Sequence, residues 1–492
     1  MKRITILSIF FISLVYGCTD LELIPESSLS PEGYYQNEAD AKTSVGACYT
    51  ELLSQFMYNQ YMEVLNSQGT DDAEWSNGRN TMNADKNELD KFTFTSATKL
   101  VYEFWRTIYT SINRCNTAID NVSSMTSTQI TDTRKNQYIG EAKFIRALLY
   151  FNLVRIYGKV PLVTKSTSSL NNLMVPRNTV SEVYNQIIED LIFAETNLPK
   201  KETYASGDLG RATKGAAASL LARVYLAKGD YQKVIDKTTE VMALGYSLWA
   251  IYADNFDIAK KNGKESIFEL QAKAGTGNPG TTFNGFFRPG FVKINGWTGY
   301  GDDPVTKNHY DAYKAGDLRR AVNVRLYTLA EFPNMSNTIE YPCYVNKYQD
   351  LSVEANVSNG GNNIPILRYS DIYLMRAEAL SQINSGDVNA YNNFNAVRRR
   401  AYGKPIDQPS VYDLKQGLSK EQFLDSVLVE RRLEFAFEGQ RRFDLLRTKK
   451  LKEAMISQNP AIGAVIEEKH MLLPVPQIER DANNLLDQNP GW

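Results

Sequence analysis

The chain has 492 residues, 43% of them hydrophobic and 23% charged, and a formal net charge of −1. That length can bury a large core, and a near-neutral charge with no basic stripe excludes nucleic acid as an expected partner. Two histidines, His309 and His470, leave little for a histidine-rich metal site or a histidine-based triad, so no metal or cofactor is expected.

Residues 1–17 read as a secretory signal peptide. Lys2 and Arg3 form a positive head, and residues 4–15 (ITILSIFFISLV) are an uncharged, mostly apolar run. The run is shorter than the roughly 20 helical residues that cross a bilayer core. It ends at Gly17-Cys18, as bacterial lipoprotein signals do, so the mature chain is expected to begin at Cys18 with lipid on its sulfur. Durable anchoring takes more than one acyl chain, which a triacylated cysteine supplies. Residues 18–30 are a polar tether, and Asp20 and Glu22 resemble the early acidic signal for the outer face of the outer membrane. No second apolar stretch is long enough to span a membrane, so membrane attachment through the lipid alone is expected. Cys48, Cys115 and Cys343 are odd in number and read as buried thiols.

Helical periodicity dominates the chain beyond the tether. Residues 46–53 begin a first unit. Residues 138–156 align Ala142, Ile145, Leu149, Leu153 and Ile156 on one face, with Pro161 beyond as a stop. A helix over 212–227, a break at Gly229-Asp230 and a helix over 231–243 predict an antiparallel pair. Within it, Ala222, Tyr225, Gly229 and Tyr231 have the spacing of the middle of a tetratricopeptide repeat. Residues 369–400 predict a second pair, turning at 384–387. Residues 274–304 break the pattern, with glycine or proline at nearly every turn and Phe283, Phe286, Phe287, Phe291, Trp297 and Tyr300 among them. Shorter irregular loops cover 68–83, with Trp75, and 354–365. The expectation is one all-α domain over 31–492: a tetratricopeptide-like helical-repeat scaffold with a loop-rich lobe at 274–340.

The candidate binding residues sit in those loops. A pyranose offers a C–H face to a flat aromatic ring, and its hydroxyls need amides, carboxylates or arginines at the rim. Trp75 with Asp71, Asp72, Asn77 and Arg79 supplies both, as does Trp297 with Asn295, Tyr300 and Asp302; Phe283, Asn284 and Phe286 can extend the wall. The competing reading is that these aromatics anchor their own loops. Trp105, Trp249 and Trp492 read as packing residues. Asp71-Asp72 and Asp302-Asp303 could serve acid–base work or hold a cation, but paired acids are common on surface loops, and no catalysis is expected. Residues 430–447 carry five arginines and four acids. Glu430, Glu434 and Glu438 recur at i, i+4 and suit pairing with arginines on neighbouring turns, with Gly439 as a helix cap. This block reads as a structural ion-pair network. Arg368, at the end of a loop before a helix, could reach a ligand, although it and Asp371 also suit a structural role.

Five segments in order resemble the SusD/RagB family of outer-membrane nutrient-binding lipoproteins. They are YGKVPLV at 157–163, RATKGAA leading to LARVYL at 211–226, LRYSDIYLMRAEA at 367–379, ERRLEFAFEGQRRFDL at 430–445, and LPVP at 473–476 with the ending NPGW. The resemblance runs from Cys18 to the last residue. It implies a non-catalytic protein that captures glycans, or in some members peptides, as a lid on a SusC-like, TonB-dependent transporter. The glycine-aromatic region and the Trp75 loop are where such proteins differ by ligand. A repeat-protein adaptor that binds only proteins and an enzyme are the alternatives from other classes.

Overall fold

The computed structural model describes residues 31–75, 84–167, 173–333 and 341–492. The expected signal peptide and tether, with Cys18, and also Asn77 and Arg79, lie outside the described residues. Ten helices carry the scaffold: α1 (Glu38–Thr50), α2 (Lys99–Ser124), α3 (Asp132–Tyr157), α4 (Val180–Asn197), α5 (Lys214–Lys228), α6 (Tyr231–Met242), α7 (Tyr369–Ile383), α8 (Val388–Ala401), α9 (Lys420–Glu434) and α10 (Arg441–Arg447). From α1 to α8 each helix packs on the next, and α9 packs on α7. Neighbour-on-neighbour packing of antiparallel pairs is the pattern of a helical repeat. No helix among the described residues is long and apolar enough to cross a membrane.

Local signals set the helix ends. Thr213 caps α5, its hydroxyl accepting from Ala216 N at 3.0 Å. Gly229, at φ 72°, ends α5 in the left-handed conformation, and Asp230 then caps α6. Ala222 is fully buried where the pair closes. α3 begins at Asp132, six residues before the stretch read from the sequence at 138, because Thr131 caps it further upstream.

Among the described residues, three two-stranded antiparallel sheets interrupt the helices, none of them expected from the sequence. β1 (Ser266–Leu270) pairs with β6 (Ile364–Arg368), β2 (Lys293–Ile294) with β3 (Trp297–Thr298), and β4 (Val324–Leu326) with β5 (Cys343–Val345). The β1–β6 ladder matches Ser266 with Arg368 and Leu270 with Ile364. It closes the base of the irregular region, which therefore spans 271–363 and is tied off at both ends. One main core runs through scaffold and lobe together, from Ala41 to Leu486 and including Phe283, Phe286 and Phe287. Cys48, Cys115 and Cys343 are buried and unbridged.

The 430–447 block is a buried ion-pair network; Asp444 pairs inside it with Arg431 and Arg447, but the three glutamates pair with remote partners. Glu434 binds Arg368 at 2.9 Å, Arg400 at 2.5 Å and Arg319 at 3.3 Å; Glu430 binds Arg319 and Arg398; Glu438 binds Lys347 and Arg368. Burial opposes ionisation of Glu434, yet the three arginines outweigh it and hold its carboxyl well below the usual range. Gly439 does not cap the helix. α9 ends at Glu434, and Phe437 (φ 58°) and Gly439 (φ 66°) carry the backbone through the turn into α10.

Candidate functional site

The lobe sorts the sequence-selected residues by burial. Phe283 and Phe286 lie inside it, 2% and 0% exposed. Phe283 packs on Tyr348 with ring centroids 4.8 Å apart, and Phe287 stacks on the same ring. Asn284 is buried as well, donating to the carbonyls of Asp350 (2.9 Å) and Asn356 (3.3 Å). These three hold the lobe together and present no face to a ligand.

Trp75 also packs inward. Residues 71–75 run beside 304–306: Glu74 N donates to Pro304 O at 3.1 Å and Thr306 N to Asp72 O at 3.0 Å. Lys86 Nζ lies 5.8 Å from the Trp75 ring centroid and 5.0 Å from that of Phe286, and pairs with Asp302 at 3.0 Å. Trp75 and Asp302 thus meet through one lysine, as a clamp rather than a binding platform. Asp71 takes a two-pronged contact from Arg441, both distances 2.8 Å, and Arg432 lies 3.2 Å away. Asp72 accepts from Arg432 Nε at 2.7 Å and contacts His309 Nδ1 at 2.9 Å. Burial works against both carboxylates; Arg432 with Arg441 for Asp71, and His309 with Arg432 for Asp72, overcome it and lower both pKa values. Arg368 is spent on Glu265, Glu434 and Glu438. Asp71, Asp72, Trp75 and Arg368 are therefore corrected from ligand contacts to internal supports: desolvated charges this well paired have no free edge to offer.

The β2–β3 hairpin is different. Its turn is Asn295-Gly296, both with positive φ (47° and 87°), the conformation that Asn-Gly favours in two-residue hairpins. Asn295 Nδ2 donates to the carbonyls of Ser352 and Ala355, both at 2.8 Å, which pins the tip to a neighbouring loop. Trp297 stands 60% exposed and Tyr300 46% exposed beside it. Tyr300 is fixed at both ends: its N–H donates to Gly285 O at 2.7 Å, and its hydroxyl bonds Ser358 Oγ at 2.7 Å. Gly299 sits between them because a Cβ there would lie 2.1 Å from Arg288 O. Val353, 85% exposed, lies on the loop that holds Asn295; sequence reasoning does not find it, since an isolated valine carries no signal. The result is an indole and a phenol held out from a rigid support, rimmed by amide and hydroxyl groups. Among the described residues, no three His, Cys, Asp or Glu side chains are grouped so as to hold a metal ion.

Two family models match this chain: the SusD family over 319–492, and a family described as starch-binding associating with outer membrane over 22–226. A SusD-like protein, P2, of Formosa agariphila is 27% identical over the full length of both chains. A crystal structure of a SusD homolog from Bacteroides thetaiotaomicron superposes with TM-score 0.81 at 25% identity, covering 94% of this chain and 98% of that one. A laminarin-binding SusD-like protein gives TM-score 0.79 at 27% identity, covering 93% and 100%.

Proposed function

This chain belongs to the SusD/RagB family, and from that premise we propose that it captures an oligosaccharide or polysaccharide at the cell surface and delivers it to a SusC-like, TonB-dependent transporter. The observation that carries this reading is the Trp297 ring, 60% exposed on a hairpin whose turn and flanks are both fixed. A pyranose can lay its C–H face on that indole without rearranging the loop, so little ordering entropy opposes capture. Tyr300 offers a second ring, and the Ser358 hydroxyl and Asn295 amide lie at the rim. The protein makes and breaks no bond; it holds the glycan for its partner. Lipid on Cys18 keeps the body at the outer face of the outer membrane.

Laminarin is the first ligand to try, given the laminarin-binding structure at 27% identity. Titration calorimetry against laminarin, a starch oligosaccharide and an oligopeptide mixture tests the reading. Saturable glycan binding that weakens at least tenfold, about 1.4 kcal/mol, in Trp297→Ala and further in Trp297→Ala/Tyr300→Ala supports it. Undiminished affinity in the double variant sinks the site, and binding of peptides without glycans moves the chain to peptide capture. New reducing ends on incubation with polysaccharide would overturn the non-catalytic assignment.

A further inference from the structure

A separate cavity of about 210 Å³ lies in the scaffold, where α3, α4 and α5 meet α10 and the end of α9. No residue of 271–363 lines it. Four arginines stand in its wall: Arg155, Arg223, Arg431 and Arg447. Three of them are answered by carboxylates. Asp371 binds Arg223 at 2.7 Å and Arg431 at 2.5 Å; Asp444 binds Arg431 at 2.7 Å and Arg447 at 2.9 Å; Glu378 takes the other edge of Arg447.

Four cations against three carboxylates leave one positive charge over, and it falls on Arg155. Its guanidinium lies between two rings, 3.8 Å from the centroid of Phe151 and 3.6 Å from that of Phe443. Its hydrogen bonds go to neutral acceptors, Phe151 O at 3.0 Å and Asn152 Oδ1 at 2.7 Å. Among the described residues it has no carboxylate within ion-pair distance, and Nη1 has no partner. Desolvation without a counter-ion pulls its pKa down to about 9, which leaves it cationic at neutral pH. A desolvated cation with an open donor edge facing a cavity is a site for an anion.

The rest of the wall limits what that anion can be. Tyr184, Leu226 and Leu446 make an apolar side, and Tyr184 offers a hydroxyl with no hydrogen-bond partner among the described residues. The volume is below the roughly 300 Å³ at which pockets for drug-sized ligands begin, so one ring fits. The wall holds one guanidinium without a carboxylate partner, which matches a single carboxylate. We propose that this cavity binds a small monocarboxylate carried on one ring, the carboxylate on Arg155 and the ring against Tyr184 and Leu226.

The test is titration calorimetry on the mature chain with two carboxylates, glucuronate and benzoate. Glucose and benzyl alcohol serve as their neutral counterparts, and sulfate as a bare oxyanion. The expected result is saturable binding of at least one carboxylate, with its neutral counterpart silent; the responding arm tells a sugar acid from an aromatic acid. Arg155→Gln should weaken it at least tenfold, and Trp297→Ala should leave it unchanged. If circular dichroism shows that Arg155→Gln does not fold, Gln440→Glu places a negative charge on the cavity wall without disturbing the ring sandwich and predicts the same loss. Silence from both carboxylates, equal binding of a neutral counterpart, sulfate binding as tight as the carboxylates, or unchanged affinity in the variant that folds would each overturn the proposal.

Discussion

Two stretches of this chain carry the same raw material for a sugar site: Trp75 beside Asp71 and Asp72, and Trp297 beside Asn295, Tyr300 and Asp302. They end in opposite environments. Trp75 is 8% exposed and its acids are locked to Arg432, Arg441 and His309, whereas Trp297 is 60% exposed on a two-residue turn. Composition is therefore a poor guide to which loop meets a ligand. What separates the two is which residue carries the ring: Trp75 lies on the same short segment as Asp71 and Asp72, which distant arginines hold inward, so its ring becomes a plug, whereas Asp302, paired with Lys86, lies five residues beyond Trp297. Where the local turn is satisfied by its own backbone and one amide, the ring is left outside.

The comparison can be broken most forcefully at Asp72. Replacing it with alanine leaves His309 and Arg432 short of their shared carboxylate in a buried setting, and should cost about 4 kcal/mol in urea unfolding. A loss below about 1 kcal/mol would mean the pair is effectively solvated and the inward reading of the 71–75 stretch is wrong. Next comes the tryptophan exchange. Trp75→Ala should lower stability by about 3 kcal/mol through lost packing, with glycan affinity of the folded protein unchanged. Trp297→Ala should move stability by no more than about 0.5 kcal/mol, as at other surface positions, and act on binding alone. Equal destabilisation by the two would erase the distinction.

The smallest effect concerns pH. Burial raises the Asp303 carboxyl to about 8, and its Oδ2 finds no partner among the described residues. A carboxyl raised in the fold favours the native state fully below the unfolded value of about 3.9 and loses that contribution as pH climbs through about 8. Asp303→Asn should therefore flatten the decline of melting temperature between pH 5 and pH 9. Glu63, Asp90 and Glu141, also raised by burial, contribute to the decline that remains. An unchanged slope would show Asp303 already ionised in the folded protein. Asp72 has the opposite sign: its carboxyl is lowered, so its contribution holds above about pH 4 and is lost on acidification.

Much of the scaffold is legible in the sequence because helices announce themselves locally. The face from Ala142 to Ile156 and the break at Gly229-Asp230 need no information from elsewhere in the chain. The sheets are not legible, since strands of two to five residues are too short to show a period. The charged block at 430–447 reads correctly as structural, yet its spacing points to partners on neighbouring turns. Glu434 instead reaches Arg319, Arg368 and Arg400 on other segments, contacts that only the assembled fold defines. The same long range hides the fate of Asp71 and Asp72, whose arginines lie some 360 positions downstream. Within the candidate site, Asn295-Gly296 is the local clue that separates Trp297 from Trp75, because that dipeptide shapes a hairpin by itself.

The bond from Arg432 to Asp72 also orders events in time. Residues near position 72 leave the ribosome long before residues 432 and 441 exist, so until those are made Asp71 has no arginine to bury with and Asp72 has only His309. Contacts this distant form late, because a loop of more than 300 residues must close first. The segment from Asp71 to Trp75 therefore gains its final contacts only after the C-terminal helices are made, although α1, α2 and α3 pack on one another within the N-terminal third. In refolding experiments the segment carrying Trp75 should register last, with the C-terminal helices acting as the latch that commits the molecule to its native state.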